Sequence, residues 1–94
     1  MKNFKEVLDN NYERLEQYVP VVSRVHGGSH PEFYDVEKVY KRISTKVSDD
    51  KDNLDLKEEF NDLRNITNNY SVPSDVCETY EAVYVMLSEL DKAY

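Results

Sequence analysis

Apolar residues recur at the three- and four-residue spacing of an amphipathic helix in four segments, and short polar stretches separate these segments. The pattern predicts helices over about residues 2–26, 30–48, 53–70 and 73–94. No segment alternates apolar and polar residues as a half-buried strand would. Helices joined by short loops pack as antiparallel neighbours. We therefore expect one domain, residues 1–94, that folds as an all-α, up-down-up-down four-helix bundle.

The same spacing predicts which side chains face inwards. They are Phe4, Val7, Leu8, Tyr12, Leu15, Val19, Val22 and Val25 in the first helix, Phe33, Val36, Val39 or Tyr40, Ile43 and Val47 in the second, Leu56, Phe60, Leu63 and Ile66 or Thr67 in the third, and Val76, Tyr80, Val83 or Tyr84, Leu87 and Leu90 in the fourth. Four of these positions are tyrosines, which we interpret as core residues rather than as a cofactor site. A buried tyrosine needs a partner for its hydroxyl group.

Turn-forming residues predict where the helices begin and end. Gly27 and Gly28 can take positive φ angles and end the first helix. Ser29 to Glu32 reads as a capping box, with Pro31 in the first turn of the second helix. Pro20 lies inside the first helix, lacks a backbone donor and predicts a kink.

The third and fourth helices have similar boundary signals. Asp52 or Asn53 is the expected N-cap of the third helix. Asn68-Asn69 is the expected left-handed stop, and Pro73 is expected at the first position of the fourth helix.

Charge and composition exclude several partners. The chain carries a formal net charge of −7, with a pI near 4.7. Nucleic acids and anionic membrane surfaces attract clustered Lys and Arg, so neither is an expected partner. No apolar run reaches the roughly 20 residues of a membrane span, and no signal peptide is recognised. Cys77 is the single cysteine, which excludes an internal disulfide and favours a reducing, cytoplasmic location.

Two stretches carry a family resemblance. They are Arg24-Val-His-Gly-Gly-Ser-His-Pro-Glu32 and Val72-Pro-Ser-Asp-Val-Cys-Glu-Thr-Tyr80, the second followed by Val83-Tyr84 and Leu87. In this order they resemble two segments of the hemerythrin-like domain of the iron–sulfur cluster repair (RIC) di-iron proteins. Phe60 to Tyr70 is similar to the third helix of that family. The resemblance covers nearly the whole chain and implies a hemerythrin-like four-helix bundle.

The resemblance also implies where iron ligands would lie, because the family binds two irons through His and Glu side chains of all four helices. The histidine of the first helix would fall near Lys5, and that of the third near Asn53. The ligands of the second helix would lie beyond Val47, in Ser48-Asp49-Asp50, and those of the last helix beyond Tyr94. All these positions belong to one end of the bundle. We therefore expect a shortened bundle without the family's di-iron site.

His26 and His30 are the only imidazoles of the chain and the candidate metal ligands. Gly27-Gly28 interrupts the helix between them, so the ligand spacing of a continuous helix does not apply. The alternative, which we favour, is that His26 complements the dipole of the first helix and that His30 lies near the next cap.

Two further features invite a chemical interpretation. Cys77 is expected in the first turn of the last helix, where the dipole lowers a thiol pKa, but a buried packing residue is the favoured interpretation. Four carboxylates of the third helix could gather around a hard cation, whereas a solvated acidic face is the usual explanation. They are Asp55, Glu58, Glu59 and Asp62.

The sequence leads to two functional hypotheses. The first is a non-catalytic, hemerythrin-like protein related to the repair family, without a cofactor, which acts through a protein partner or as a homo-oligomer. Its interaction surface would be the shortened end, where inner residues become exposed: Phe4, Leu8, Val47, Leu54 and Leu90. The second is a metal-dependent iron–sulfur cluster repair or stress-response protein. Its iron would be held between subunits by His26, His30 and acidic residues.

Overall fold

Four α-helices make up most of residues 3–94, the part of the chain that the computed structural model describes. They are α1 (Phe4–His26), α2 (Glu32–Asp49), α3 (Lys57–Thr67) and α4 (Glu78–Ala93). The described residues contain no strand, which confirms the all-α prediction. Helix α1 packs against α2 and α4, and α2 packs against α3. None of these helices is both long enough and apolar enough to cross a lipid bilayer.

Helix α1 is the longest element and spans the molecule. Its 23 residues correspond to a rise of roughly 34 Å, close to the longest molecular dimension of 36 Å. It begins at Asn3, whose side-chain oxygen accepts a hydrogen bond from the backbone N–H of Glu6. It continues as one helix through Pro20 and ends at Gly27. The two ends of α1 therefore belong to opposite ends of the molecule.

The turn between α1 and α2 differs from its prediction. Gly27 has a φ of −55°, and neither it nor Gly28 has a positive φ, so the predicted left-handed stop is wrong. Gly27 is needed for space instead: a Cβ atom there would lie 2.4 Å from the Ser23 carbonyl oxygen and 2.4 Å from the Tyr34 ring. The close approach of the Ser23 carbonyl oxygen and the Tyr34 ring, rather than a special backbone angle, requires glycine at this position.

The predicted capping box at the start of α2 does not form. Helix α2 has Pro31 as its N-cap, without a side-chain hydrogen bond to the helix. Glu32 is occupied elsewhere, because its carboxylate contacts the ring of His30.

Helices α3 and α4 are shorter than predicted. Asp50 binds the backbone N–H of Asp52 and the side chain of Asn53, so these cap-forming residues make a turn of their own. Helix α3 therefore begins only after Leu56. Its predicted end is confirmed, since Asn68 is a left-handed C-cap with a φ of 53°.

Pro73 does not open the last helix. The backbone of Cys77 is extended, and α4 starts at Glu78. Residues 71–77 form a separate connector.

Buried side chains form one hydrophobic core between the helices. Its members are Val7, Leu8, Leu15, Val19, Val22, Phe33, Val36, Val39, Tyr40, Ile43, Val47, Leu56, Phe60, Leu63, Tyr80, Val83, Tyr84, Met86, Leu87 and Leu90. Most predicted inward positions are confirmed, and Val25 is wrong at 62% exposure. Of the four inward tyrosines, Tyr12 is only partly buried. The hydroxyls of Tyr80 and Tyr84 are 3.0 Å apart, and that of Tyr12 lies 2.9 Å from Ser44 Oγ.

Candidate functional site

The end of α1 and the start of α4 bring together a histidine and a cysteine that are 51 residues apart in sequence. His26 Nε2 lies 3.1 Å from Cys77 Sγ. His26 is the last residue of α1, and Cys77 is the N-cap of α4. Cys77 is exposed, so the predicted buried packing role is wrong. Because residues 71–77 form a connector, α4 begins only at Glu78. Cys77 therefore lies before the helix, at the surface, rather than within its first turn.

The surroundings of Cys77 favour its thiolate. The backbone N–H groups at the start of α4, that of Tyr80 above all, and the ring of His26 lower the pKa of the Cys77 thiol to about 7. A thiol with such a pKa is about half ionised at neutral pH, and the thiolate is the form that reacts with electrophiles and binds soft metals.

His30 joins the α1–α2 turn to the connector that precedes α4. Its Nδ1 lies 3.1 Å from Glu32 Oε1, and its Nε2 lies 3.0 Å from Asp75 Oδ1. A neutral imidazole has one N–H donor, whereas the imidazolium form has two and can donate to both carboxylates. Both ring nitrogens of His30 are therefore occupied by partners within the chain.

Both imidazole rings pack against the buried ring of Tyr80. The centroid of its ring lies 5.5 Å from that of His26 and 5.7 Å from that of His30, each edge to face. The Phe33 ring packs against Tyr80 on the inner side, at 5.2 Å. We call His26, His30, Asp75, Cys77 and Tyr80 the histidine end.

The two predicted metal ligands thus share one end of the molecule but engage different partners. His26 pairs with a sulfur atom, and His30 pairs with two carboxylates. Within residues 3–94, no three His, Cys, Asp or Glu side chains are grouped closely enough to hold a metal ion together. Instead, His26 pairs with one sulfur atom, and each ring nitrogen of His30 contacts one carboxylate oxygen.

The opposite end of the molecule is closed by aromatic rings. Phe4 packs edge to face against Phe60 and Tyr94, with centroid distances of 6.2 and 5.3 Å. The Tyr94 hydroxyl accepts a hydrogen bond from the backbone N–H of Leu56 at 2.8 Å. We call Phe4, Leu54, Phe60 and Tyr94 the aromatic end.

The expected exposure of inner residues at this end is wrong. Leu8 and Leu90 are 1% and 0% exposed, and Val47 is also buried. They belong to the hydrophobic core, against which Phe4 and Leu54 pack, and Lys5 pairs with Asp52 in the segment after α2. Phe4 and Leu54 are partly buried, while Tyr94 remains 48% exposed. A cleft of about 410 Å³ lies beside Phe4, Leu54 and Tyr94.

Two of the four acidic residues of the α3 region, Glu59 and Asp62, form ion pairs with basic side chains of α2. Glu59 is buried and contacts Lys46 at 3.0 Å and Arg42 at 3.4 Å. Asp62 contacts the same arginine at 2.8 Å, a bond that raises the pKa of Arg42. Buried carboxylates require such partners, so this cluster joins α3 to α2.

The pairing of His26 with Cys77 is the feature that sequence reasoning missed. The signal was available in part, because both residues lie in the two stretches that carry the family resemblance. The extended connector before α4 gave no periodic signal, and it determines the exposure of Cys77. Comparison with models of known protein families and with solved structures found no match for the chain.

Proposed function

We propose that the chain is a hemerythrin-like, up-down-up-down helical bundle related to iron–sulfur cluster repair proteins, and that it acts in the cytoplasm without catalysis, through protein–protein interaction. The observation that carries this proposal is the packing of the aromatic end. There the interior is filled by apolar side chains such as Leu8, Leu56 and Leu90. Lys5, the position where the resemblance would put a first-helix iron ligand, is turned outwards to Asp52.

The arrangement of the two resembling stretches also supports the proposal. The stretch that contains His26 and His30 contacts the stretch that contains Asp75, Cys77 and Tyr80 through the pairs described above. Residues from the start of α1, the start of α3 and the end of α4 meet at the other end. An up-down-up-down chain would produce this distribution of contacts.

The cleft of the aromatic end is the surface that we propose for the partner or for a second copy of the chain. Phe4, Leu54 and Tyr94 supply apolar area, and Lys5, Lys51 and Asp52 supply a charged rim. An apolar centre with a polar rim is the usual composition of a protein interface. Tyrosine is also among the residues that contribute most to binding energy. The sequence predicted an interaction surface of five residues. Of these, only the partly buried Phe4 and Leu54 line the cleft, together with Tyr94.

Site-specific photo-crosslinking tests the proposed surface. A benzoylphenylalanine at position 94 should form a discrete crosslinked product in cells under oxidative or nitrosative stress. The same residue at position 34 is the matched control, because Tyr34 is about equally exposed and lies in α2, near the histidine end. A product with the mass of two chains would indicate a homo-oligomer, and another mass would indicate a partner. Equal products from both positions, or none from position 94, would contradict the proposal.

A second candidate function is a metal-dependent repair or stress-response protein with iron between subunits. Two pairs of side chains that can bind metals lie at one end of the molecule, His26 with Cys77 and His30 with Asp75. A second copy facing this end would double the number of ligands, which favours this candidate. Metal analysis of protein purified without chelators separates the candidates. Iron in a fixed ratio to the dimer, with a charge-transfer absorption that is lost in His26→Ala and His30→Ala, would support the second. Metal-free protein that still gives the crosslink supports the first.

A further inference from the structure

A groove between α1 and α2, midway between the two ends of the molecule, contains a buried polar group without a partner. The groove encloses about 250 Å³. Tyr40 forms part of its wall, at 3% exposure, and its hydroxyl has no hydrogen-bond partner among the described residues. An unsatisfied buried hydroxyl costs about 1–3 kcal/mol, so its persistence calls for an explanation.

The floor of this groove is apolar, and one backbone acceptor beside it lacks its helical donor. Val19, Pro20 and the ring of Tyr40 line the floor. Proline has no backbone N–H, so Pro20 leaves the carbonyl of Glu16, four residues earlier, without its helical donor. Burial of the phenol raises the pKa of Tyr40, and the negative charge of Glu16, which lines the same groove, adds to this rise. This part of the groove thus offers acceptors and one hydroxyl that awaits a donor.

Two carboxylates mark the ends of the groove. Glu16 accepts a hydrogen bond from Ser44 at 2.8 Å, and Glu37 accepts one from Ser23 at 3.0 Å. Neither carboxylate forms an ion pair with a cation within residues 3–94, to judge by N–O distances of 4 Å or less. Ser23 and Glu16 are seven residues apart on α1, so the two carboxylates are separated by roughly 10 Å along the groove.

We propose that this groove binds a linear aliphatic diamine in its doubly charged form. One ammonium group would bind the Glu16 carboxylate and donate to the Tyr40 hydroxyl, and the other would bind the Glu37 carboxylate. A four- or five-carbon chain, together with an ammonium–carboxylate contact of about 2.8 Å at each end, spans this separation. The hydrocarbon would lie on Val19 and Pro20, which form the apolar floor.

Access to the hydroxyl is restricted, and one residue opposes binding. The Tyr40 hydroxyl is screened from solvent, so the first ammonium must enter between this hydroxyl and the exposed Glu16 side chain, which remains close enough to bind it. Lys41 also lines the groove, and its positive charge repels a dication. Removal of this charge should therefore tighten binding, whereas the control at Glu13 measures the general attraction of a dication to an acidic protein.

Isothermal titration calorimetry with 1,5-diaminopentane, at low ionic strength and up to about 10 mM ligand, tests the proposal. Pentylamine, with one ammonium group, should bind about 10-fold more weakly. Glu16→Gln and Glu37→Gln should each weaken diamine binding by about 3- to 10-fold. Tyr40→Phe should weaken it by a few fold, and Lys41→Gln should strengthen it by about 2-fold. Glu13→Gln, a matched exposed glutamate of α1 outside the groove, should leave it unchanged.

Three results would overturn the proposal: no heat of binding with the folded wild-type protein, equal affinity for the diamine and the monoamine, or equal weakening by Glu13→Gln and Glu16→Gln. Circular dichroism of each variant shows whether it remains helical. Changes in the NMR signals of Tyr40 and Ser44 on addition of diamine provide a second measurement in the wild-type chain. They remain informative if a variant fails to fold.

Discussion

The two ends of the molecule are built on different principles. At the aromatic end, Phe4, Phe60 and Tyr94 pack ring against ring and close the core. At the histidine end, Tyr80 also carries packed rings, but a thiol, two imidazoles and an exposed carboxylate lie above it. The first end therefore contributes mainly to the free energy of unfolding. The second presents a thiol whose pKa is lowered to about 7, so its reactivity varies with pH near neutrality.

The largest expected effect is at the aromatic end. Phe60→Ala removes a fully buried ring that contacts both Phe4 and Tyr94, and should lower the free energy of unfolding by about 3–5 kcal/mol. Urea unfolding followed by circular dichroism measures it. Tyr34→Ala, at an exposed position, is the control and should change stability by less than about 1 kcal/mol. A loss below 1 kcal/mol for Phe60→Ala would mean that the ring cluster does not close the core.

A pair of tyrosine variants compares satisfied and unsatisfied buried hydroxyls. Tyr80→Phe leaves the Tyr84 hydroxyl without its partner at 3.0 Å and should cost about 1–2 kcal/mol. Tyr40→Phe removes a hydroxyl that has no partner among the described residues and should be neutral or slightly stabilising. Thermal unfolding of both variants in one buffer tests the difference. Equal losses would show that the Tyr40 hydroxyl is satisfied in solution.

The reactivity of Cys77 tests the chemistry of the histidine end. The rate of alkylation by iodoacetamide should rise with pH through a midpoint near 7, because the pKa of the Cys77 thiol is about 7 and the thiolate is the nucleophile. His26→Ala removes the imidazole that contacts the sulfur at 3.1 Å and should raise this pKa. The rate at pH 7 should then fall by about 3- to 5-fold.

Two further results complete this test. Because the thiol pKa is lower in the folded chain than in the unfolded chain, the thiolate favours folding above the unfolded pKa, and this contribution is lost as the pH falls through about 7. His30→Ala leaves the His26 contact in place and should preserve the midpoint of the alkylation profile. A midpoint above 8 in the wild-type protein would show that His26 and the start of α4 do not stabilise the thiolate.

The smallest expected effect concerns the bridge between the α1–α2 turn and the connector. Asp75→Asn removes a carboxylate whose side chain is largely exposed and whose partner is His30, so its cost in stability should be about 0.2–1 kcal/mol. The loss should shrink in 1 M salt because the pair is screened. Chemical unfolding at two salt concentrations measures it. A loss above 2 kcal/mol would place this bridge among the elements that hold the fold.

Periodic spacing predicted the helices and most of the core, since burial of an amphipathic face depends on local sequence alone. Boundaries were less predictable because they depend on which of several available hydrogen-bond partners a polar side chain takes. Glu32 was expected to cap its own helix, but His30 engages it instead. Asp52 and Asn53 form their own turn with Asp50. Asn68-Asn69 was predicted correctly, because the left-handed preference of asparagine is local.

The candidate site was predicted only in part. His26 and His30 attracted attention as the only imidazoles, but their partners come from a segment about 45–51 residues further along the chain. The groove between α1 and α2 could not be foreseen at all. It depends on how far α2 is shifted along α1, so that Tyr40 and Pro20 line the same groove. Helical periodicity does not determine this relative shift.

The absence of a side chain at Gly27 limits the substitutions that this position tolerates. A Cβ atom at position 27 would lie 2.4 Å from both the Ser23 carbonyl oxygen and the Tyr34 ring. The exposed Tyr34 ring can turn aside, but the carbonyl belongs to the backbone of α1 and moves only if the last turn of that helix is distorted. Mutational scanning should therefore find position 27 nearly invariant, and Tyr34→Ala should not rescue Gly27→Ala. The absence of a side chain at this one position thus preserves the helical path of α1 up to its last turn.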